Sequence, residues 1–276
     1  MIITNKQGLP ENFVNAVSKF THKKAGYSVT ELEKSPRELF LTNRHWNEIE
    51  QDVSDMIYSL FGSALHHILQ KGEGKDQLVE QYLTADIDGI KLSGMADLYD
   101  DGVIVDYKTT SVWTIIYDSR SEDWTKQLNV YKYLYELAGF EVKELTVIAL
   151  LRDWSKTKAK YDATYPQTQV IKVNLPLWDK DKTLDYIKTR IGELEKVKEE
   201  ADNKLPFCTA EQRWKREDVY KCMKEGRKSS VKNFANKTEA EAFCLEKGLT
   251  LAEFPGEAVK CENYCAAKAF CNQVMK

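Results

Sequence analysis

The chain has 276 residues, 42% of them hydrophobic, 11% aromatic and 30% charged, the balance of a folded domain rather than of a disordered or collagen-like chain. Its 40 Lys and Arg against 43 Asp and Glu give a formal net charge of -3, which excludes a uniformly basic nucleic-acid coat but leaves room for a local basic channel. No apolar run approaches the roughly 18 residues needed to span a bilayer, and Met1 to Pro10 lacks a basic head followed by an apolar stretch, so the expectation is no membrane and a cytoplasmic location.

Residues 10–70 read as mostly helical. Ser54 to Gln70 carries Met56, Ile57, Leu60, Phe61, Leu65, Ile68 and Leu69 at helical spacing, which delivers Gly62 and His66 to the core. From Leu78 the rhythm changes to strand-like runs over 78–87, 90–99 and 103–108, joined at Asp88-Gly89 and Asp101-Gly102, both favourable two-residue hairpin turns. A three-stranded antiparallel meander is expected. Asp123 to Ala138 returns to helical spacing, Leu145 to Leu151 reads as a strand buried on both faces, and Gln169 to Leu175 is a further strand candidate. After Pro176 a long helix places Leu184, Ile187, Ile191 and Leu194 on one face, as core packing. Beyond Cys208 the pattern gives a hairpin around Glu225-Gly226 and a short helix capped by Thr238 with Glu241 in the capping box. The expected organisation is an N-terminal helical region over 1–53, an α/β core over 54–204 and a cysteine-bearing region over 205–276.

The chemistry gathers on two strands. The second ends in Gly94-Met95-Ala96-Asp97 and the third reads Val103-Ile104-Val105-Asp106-Tyr107-Lys108, so Asp106 and Lys108 share one strand face. Pairing through Asp101-Gly102 brings Asp97 beside Asp106, and two adjacent carboxylates need a neutralising cation or a shared proton. Hard divalent cations favour such oxygen ligands, and Lys108 beside them can assist a water and offset charge on a phosphoryl oxygen. Taken alone, Asp-x-Lys is more often a strand-end salt bridge; here further elements arrive in order. Gly62-Ser63-Ala64-Leu65-His66 precedes the strands, Glu80 opens them, and Gln127-Leu128-Asn129-Val130-Tyr131 follows on the next helix, with Gln127 and Tyr131 one turn apart.

This string, dense over residues 55–151, resembles the RecB-like branch of the PD-(D/E)XK nuclease superfamily, including CRISPR-adaptation exonucleases and phage-type enzymes. The resemblance implies an α/β fold with a PD-(D/E)XK core of helix, meander, helix and strand, and metal-dependent hydrolysis of DNA phosphodiesters. In its terms Asp97, Asp106, Lys108, Gln127 and Tyr131 are catalytic, while His66, Asp97 and Asp106 hold Mg or Mn. The enzyme that the resemblance implies is a deoxyribonuclease, an exonuclease on single-stranded or linear DNA. The competing reading is a nucleic-acid-binding or adaptor protein of recombination, repair or CRISPR adaptation with little hydrolysis of its own. A basic and aromatic stretch, Arg152 to Tyr165 with Trp154, Lys156, Lys158, Lys160 and Tyr161, could be a single-strand contact surface or a solvated loop.

All six cysteines, 208, 222, 244, 261, 265 and 271, lie beyond residue 200, and in a reducing compartment such clustering suggests a soft metal more than disulfides. Spacing alone separates zinc from an iron-sulfur cluster poorly. The family resemblance implies a structural 4Fe-4S cluster held by Cys261, Cys265 and Cys271 with one more distant thiol. Three residues stand between Cys261 and Cys265 where the family pattern has two. Cys208, in a loop-like setting, is the favoured fourth ligand; Cys222 reads as a strand residue and Cys244 as a buried thiol on an amphipathic helix.

Overall fold

In a computed structural model, residues 1–18, 25–72 and 74–274 are described. Residues 19–24, within the stretch read as helical, lie outside the described residues. The described part is mixed α/β, and it divides into two compact units, one of residues 1–34 and 50–198, the other of 35–49 and 199–276. This corrects the expected division: residues 1–53 are not a region of their own, since their first 34 belong with the core and 35–49 with the cysteine-bearing end.

The first unit is built on a five-stranded sheet in the order Val170–Leu175, Glu144–Leu151, Val103–Thr110, Leu98–Asp100, Leu78–Val79. Val103–Thr110 lies in the middle, antiparallel to Leu98–Asp100 and parallel to Glu144–Leu151. Parallel neighbours require a crossover, and helix Ser121–Leu137 supplies it. That helix is buried along most of its length, from Trp124 to Tyr135. The apolar run at 144–151 has a neighbouring strand on each side; its Leu145, Val147, Ala149 and Leu151 face is buried, while Ile148 and Leu150 on the other face are half-buried rather than buried as expected. Both turns adopt the expected left-handed pairs, Asp88 and Gly89 at φ 52 and 84, Asp101 and Gly102 at φ 41 and 86.

The meander is corrected in one respect. Its first two strands each break in the middle, so that one long hairpin becomes two short ones. Leu78–Val79 with Leu98–Asp100 stays in the five-stranded sheet, whereas Tyr82–Ile87 with Ile90–Met95 joins a second sheet alongside Tyr27–Ser28. Glu80 sits at the break with φ 47, a left-handed conformation that turns the chain, and its amide donates to the Asp97 carbonyl at 3.1 Å. Beside the break, Gly94 lets the crossover helix approach: a Cβ there would lie 2.7 Å from Leu134 Cδ1 and from Val29 Cγ2.

Helix Ile57–Gln70 follows a 3-10 turn over Val53–Met56. It holds no fully buried residue, so His66 is delivered to a solvent-open cavity rather than to the core as expected. Helix Lys180–Val197 is capped by Asp179, which accepts from the Lys182 amide at 2.7 Å, and it buries Ile187, Ile191 and Leu194 as the spacing requires. Among the described residues no helix is long and apolar enough to cross a membrane.

In the second unit, helix Pro36–Arg44 packs with the chain end. Arg37, 1% exposed, donates to the carbonyls of Leu205 and Pro206 and to Asn272 Oδ1. His45 stacks on Phe270 with ring centroids 4.0 Å apart and bonds Asp202. The rest is a small module: strands Val219–Met223, Ser230–Phe234 and Thr250–Phe254 with Val219–Met223 central, and helix Lys237–Lys247. The helix is capped by Asn236, accepting from the Glu239 amide at 3.2 Å, rather than by Thr238. Cys222 and Cys244 form a disulfide inside the module, with Ala240, Phe234, Phe243 and Leu251 around it. This overturns the expectation of six thiols: strand and helix turn these two cysteines toward each other in the same core.

Candidate functional site

The break in the hairpin builds the site. The register Leu98↔Val105 carries Asp97 level with Asp106, one step further along each strand. Asp97 Oδ2 accepts from the Tyr107 amide at 2.7 Å, which fixes the carboxylate against the motif strand, and its Oδ1 lies 3.2 Å from His66 Nδ1. Lys108 Nζ lies 2.7 Å from Asp106 Oδ2, with Asp106 4% and Lys108 29% exposed at the side chain. Asp106 Oδ2 is buried, and the Lys108 ammonium is the cation that faces it. His66, Gln70, Glu80, Asp97 and Tyr107 line one cavity. Gln70 Nε2 donates to Glu80 Oε2, which orients that carboxylate from the end of the histidine helix.

The electrostatics are those of a site short of positive charge. Burial pushes the Asp106 carboxyl up to about 6; Lys108 opposes this, and the Asp97 charge adds to it. Desolvation therefore outweighs the ion pair. The hydrogen bond to Asp97 raises the His66 imidazole, against the effect of burial. Gln127 Nε2 donates to the Tyr131 hydroxyl at 3.2 Å, and burial followed by the Asp106 charge raises that phenol. The helix thus presents Gln127 and Tyr131 as a bonded pair close enough to feel Asp106, while His67 points to solvent.

As the side chains stand, among the described residues no three His, Cys, Asp or Glu groups converge to hold one metal ion. The chemistry of the donor set nevertheless fits a hard divalent cation. Asp106 Oδ2 is buried, Asp97 and Asp106 are adjacent, and a cation would offset the desolvation that raises the Asp106 carboxyl.

The cysteine end has a cavity of its own, lined by Cys208, Cys261, Cys265 and Cys271 with Arg37, Arg213 and Lys260. Cys208 is fixed at both backbone groups by Gln273, whose Oε1 accepts from its amide at 2.8 Å and whose Nε2 donates to its carbonyl at 2.9 Å. Its sulfur lies 3.1 Å from Ser35 Oγ. Arg37 Nη1 reaches Cys271 Sγ at 3.9 Å, and Arg213 Nε is buried with no partner. Burial raises the Cys208 and Cys261 thiols and takes Cys265 to about 11. Four thiols beside two arginines, one with an orphaned buried donor, and the Lys260–Glu38 ion pair suit an anionic thiolate-bound group. The remaining two cysteines are spent in the disulfide.

No family model matches the chain, and no curated protein matches it. Solved structures do. A crystal structure of a protein called SSO0001 aligns over 66% of this chain and 82% of its own at 16% identity, with a TM-score of 0.42. A phage-related exonuclease from Haemophilus somnus 129PT aligns over 70% of this chain and 78% of its own at 12% identity, with a TM-score of 0.31.

Sequence reasoning missed Glu33. It ends the short helix Val29–Leu32, its Oε1 is buried without a partner, and its carboxyl is pushed up to about 7, first by burial and then by Asp123, against the pull of Lys108 and Arg120. The Ser28–Glu31 capping box marks this turn in the sequence, but nothing there distinguishes a buried Glu33 from a solvated one. Also missed were the aromatics beside the Arg152 to Tyr165 stretch. Trp113 stacks with Tyr117 at 5.8 Å, Lys158 Nζ lies 5.9 Å from the Trp113 ring, and Arg152 covers Tyr58 at 4.4 Å. The stretch is a helix over Lys156–Tyr161 rather than a loop, and Tyr161 and Tyr117 are 77% and 71% exposed.

Proposed function

We propose that the protein is a metal-dependent deoxyribonuclease that hydrolyses phosphodiester bonds of linear, single-stranded DNA from an end. The observation that carries this reading is the level placement of Asp97 and Asp106 at the hairpin break, with Lys108 on Asp106 at 2.7 Å and His66 on Asp97 at 3.2 Å. A strand-end salt bridge needs neither the second carboxylate nor the histidine.

Asp97, Asp106 and His66 are the residues that would hold Mg or Mn, and when bound such an ion supplies Lewis-acid polarisation of the phosphate and a lowered pKa for the attacking water. Asp97 is held in place by the Tyr107 amide. Lys108, beside Asp106 at 2.7 Å, would orient the attacking water and donate toward the developing phosphoryl charge. The Gln127–Tyr131 pair, on the helix that Gly94 lets approach, positions the scissile phosphate. The exposed aromatic rings with Lys158 and Arg152 suit stacking with unpaired bases and pairing with their phosphates. Cys208, Cys261, Cys265 and Cys271 would hold a structural 4Fe-4S cluster that ties residues 35–49 and 205–276 together.

The alternative adaptor reading is favoured by one observation: His66 pairs with Asp97 and Lys108 with Asp106, and among the described residues there is no preassembled triad of donors. The two readings part in a calorimetric titration with Mn. The nuclease reading expects a site that Asp106→Asn weakens at least tenfold and that Lys108→Ala leaves equal or tighter, because that change removes a positive charge beside the ion. Absence of any such site favours the adaptor.

A further inference from the structure

The small C-terminal module has a charge pattern opposite to that of the chain as a whole. Residues 219–234 hold five cations, Lys221, Lys224, Arg227, Lys228 and Lys232, and one carboxylate, Glu225, in a protein of net charge -3. Lys224, Arg227 and Lys228 form the exposed tip of the hairpin, and among the described residues no carboxylate pairs with any of the three.

The two faces of the module's sheet differ. Tyr220, Cys222, Phe234 and Leu251 lie under helix Lys237–Lys247. Lys232, opposite Cys222, belongs to that side and rests on Phe234 at 4.6 Å. Residues of Val219–Met223 alternate, so Lys221 points to the other face, where its Nζ lies 4.2 Å from the ring centre of Phe254. Phe254 is 45% exposed, and Val231 is exposed as well. An aromatic ring left open to solvent, a lysine over its face and three cations at the hairpin tip, at the other end of strand Val219–Met223, make a stacking platform with a phosphate track along the strand. The Cys222–Cys244 disulfide and the apolar side hold that platform rigid.

We infer that the open face and tip of this module are a second nucleic-acid contact: Phe254 stacks on a base of a single strand while Lys221, Lys224, Arg227 and Lys228 take its phosphates. The choice of DNA rests on the proposed nuclease function; the choice of a single strand rests on Phe254, because a duplex offers phosphates but no free base face. The contact acts in binding and takes no part in the hydrolytic step.

The test uses the full chain with EDTA and a fluorescein-labelled 20-nucleotide oligo-dT, read by anisotropy across a salt series. The triple variant K224E/R227E/K228E should weaken binding at least tenfold and flatten the log-affinity against log-salt slope by about 2, the loss of three single-strand phosphate contacts. F254A should weaken it about fivefold or more at unchanged slope, and F254W should restore it. All of them should hydrolyse bis(p-nitrophenyl) phosphate with Mn at the wild-type rate, since that small diester reaches only the catalytic site. Wild-type affinity and slope in both the triple variant and F254A would overturn the inference, as would tighter binding of a 20-base-pair duplex or of polyglutamate than of oligo-dT by the wild type. Failure of diester hydrolysis in the wild type, with the binding losses present, would instead remove the nuclease reading and leave this contact standing.

Discussion

In the proposed reading Asp106 is the central acid, and burial more than its Lys108 neighbour sets its state. Buried beside the Lys108 ammonium and the Asp97 carboxylate, it is an acid whose charged form the fold disfavours. Asp106→Asn and Lys108→Ala are each expected to lower DNA hydrolysis at least a hundredfold, measured as release of labelled nucleotide, with the circular dichroism of the folded chain kept. Glu33 provides a cleaner test of buried charge, as it is not assigned to the metal. Its folded pKa of about 7 lies above its ordinary value of 4.5, so the native state binds the extra proton and stability falls as pH rises from about 4.5 to 7. The full penalty, up to roughly 3 kcal/mol, is present above pH 7 and absent below about 4.5. Glu33→Gln should therefore melt above the wild type at pH 8 in metal-free buffer and level with it at pH 4. Equal melting temperatures at pH 8 would show that Glu33 finds a partner or solvent.

At the scale of elements, the break in the hairpin and the close helix contact at Gly94 do the positioning. Gly94→Ala would drive a methyl to 2.7 Å from Leu134 and Val29, and overpacking of this kind costs about 1–3 kcal/mol. A melting temperature several degrees lower, with reduced activity, is the expected outcome. An unchanged melting temperature would mean that the crossover helix can move away without penalty. Much of this layer was legible in the sequence. Alternation put Asp106 and Lys108 on one face, Asp-Gly fixed both turns, and the spacing put Gln127 and Tyr131 on one helical face, where the structure adds a hydrogen bond between them. The break was not legible, because a left-handed Glu80 is imposed by two sheets pulling one hairpin apart, and no local residue preference announces it. Burial of Glu33 escaped for the same reason: it depends on the helices that pack over the turn.

At the scale of the whole molecule, the sequence separated the cysteine-rich end but not the helix that belongs with it. Arg37 and His45 carry residues 35–49 into the second unit through contacts with 202–206 and 270–272, and contacts so distant in the chain leave no periodic trace. Cys208 lines the cavity of the C-terminal three cysteines, while Cys222 and Cys244 are joined to each other. Protein purified without oxygen is accordingly expected to be brown and to hold iron in excess of zinc. Cys208→Ala, Cys261→Ala, Cys265→Ala and Cys271→Ala should each lose iron and thermal stability together, because a group bound only in the folded state contributes to folding free energy. Cys222→Ala and Cys244→Ala should keep the iron. A colourless protein containing one zinc would contradict the cluster.

The central claim, that Asp97, Asp106 and Lys108 form a working hydrolytic centre, is tested most directly by one assay of end-labelled linear single-stranded DNA. The wild type should degrade it with Mn or Mg and not with EDTA, should leave single-stranded circles nearly intact, and should lose the activity on Lys108→Ala. No degradation under any divalent cation, or the wild-type rate in Lys108→Ala, would contradict it.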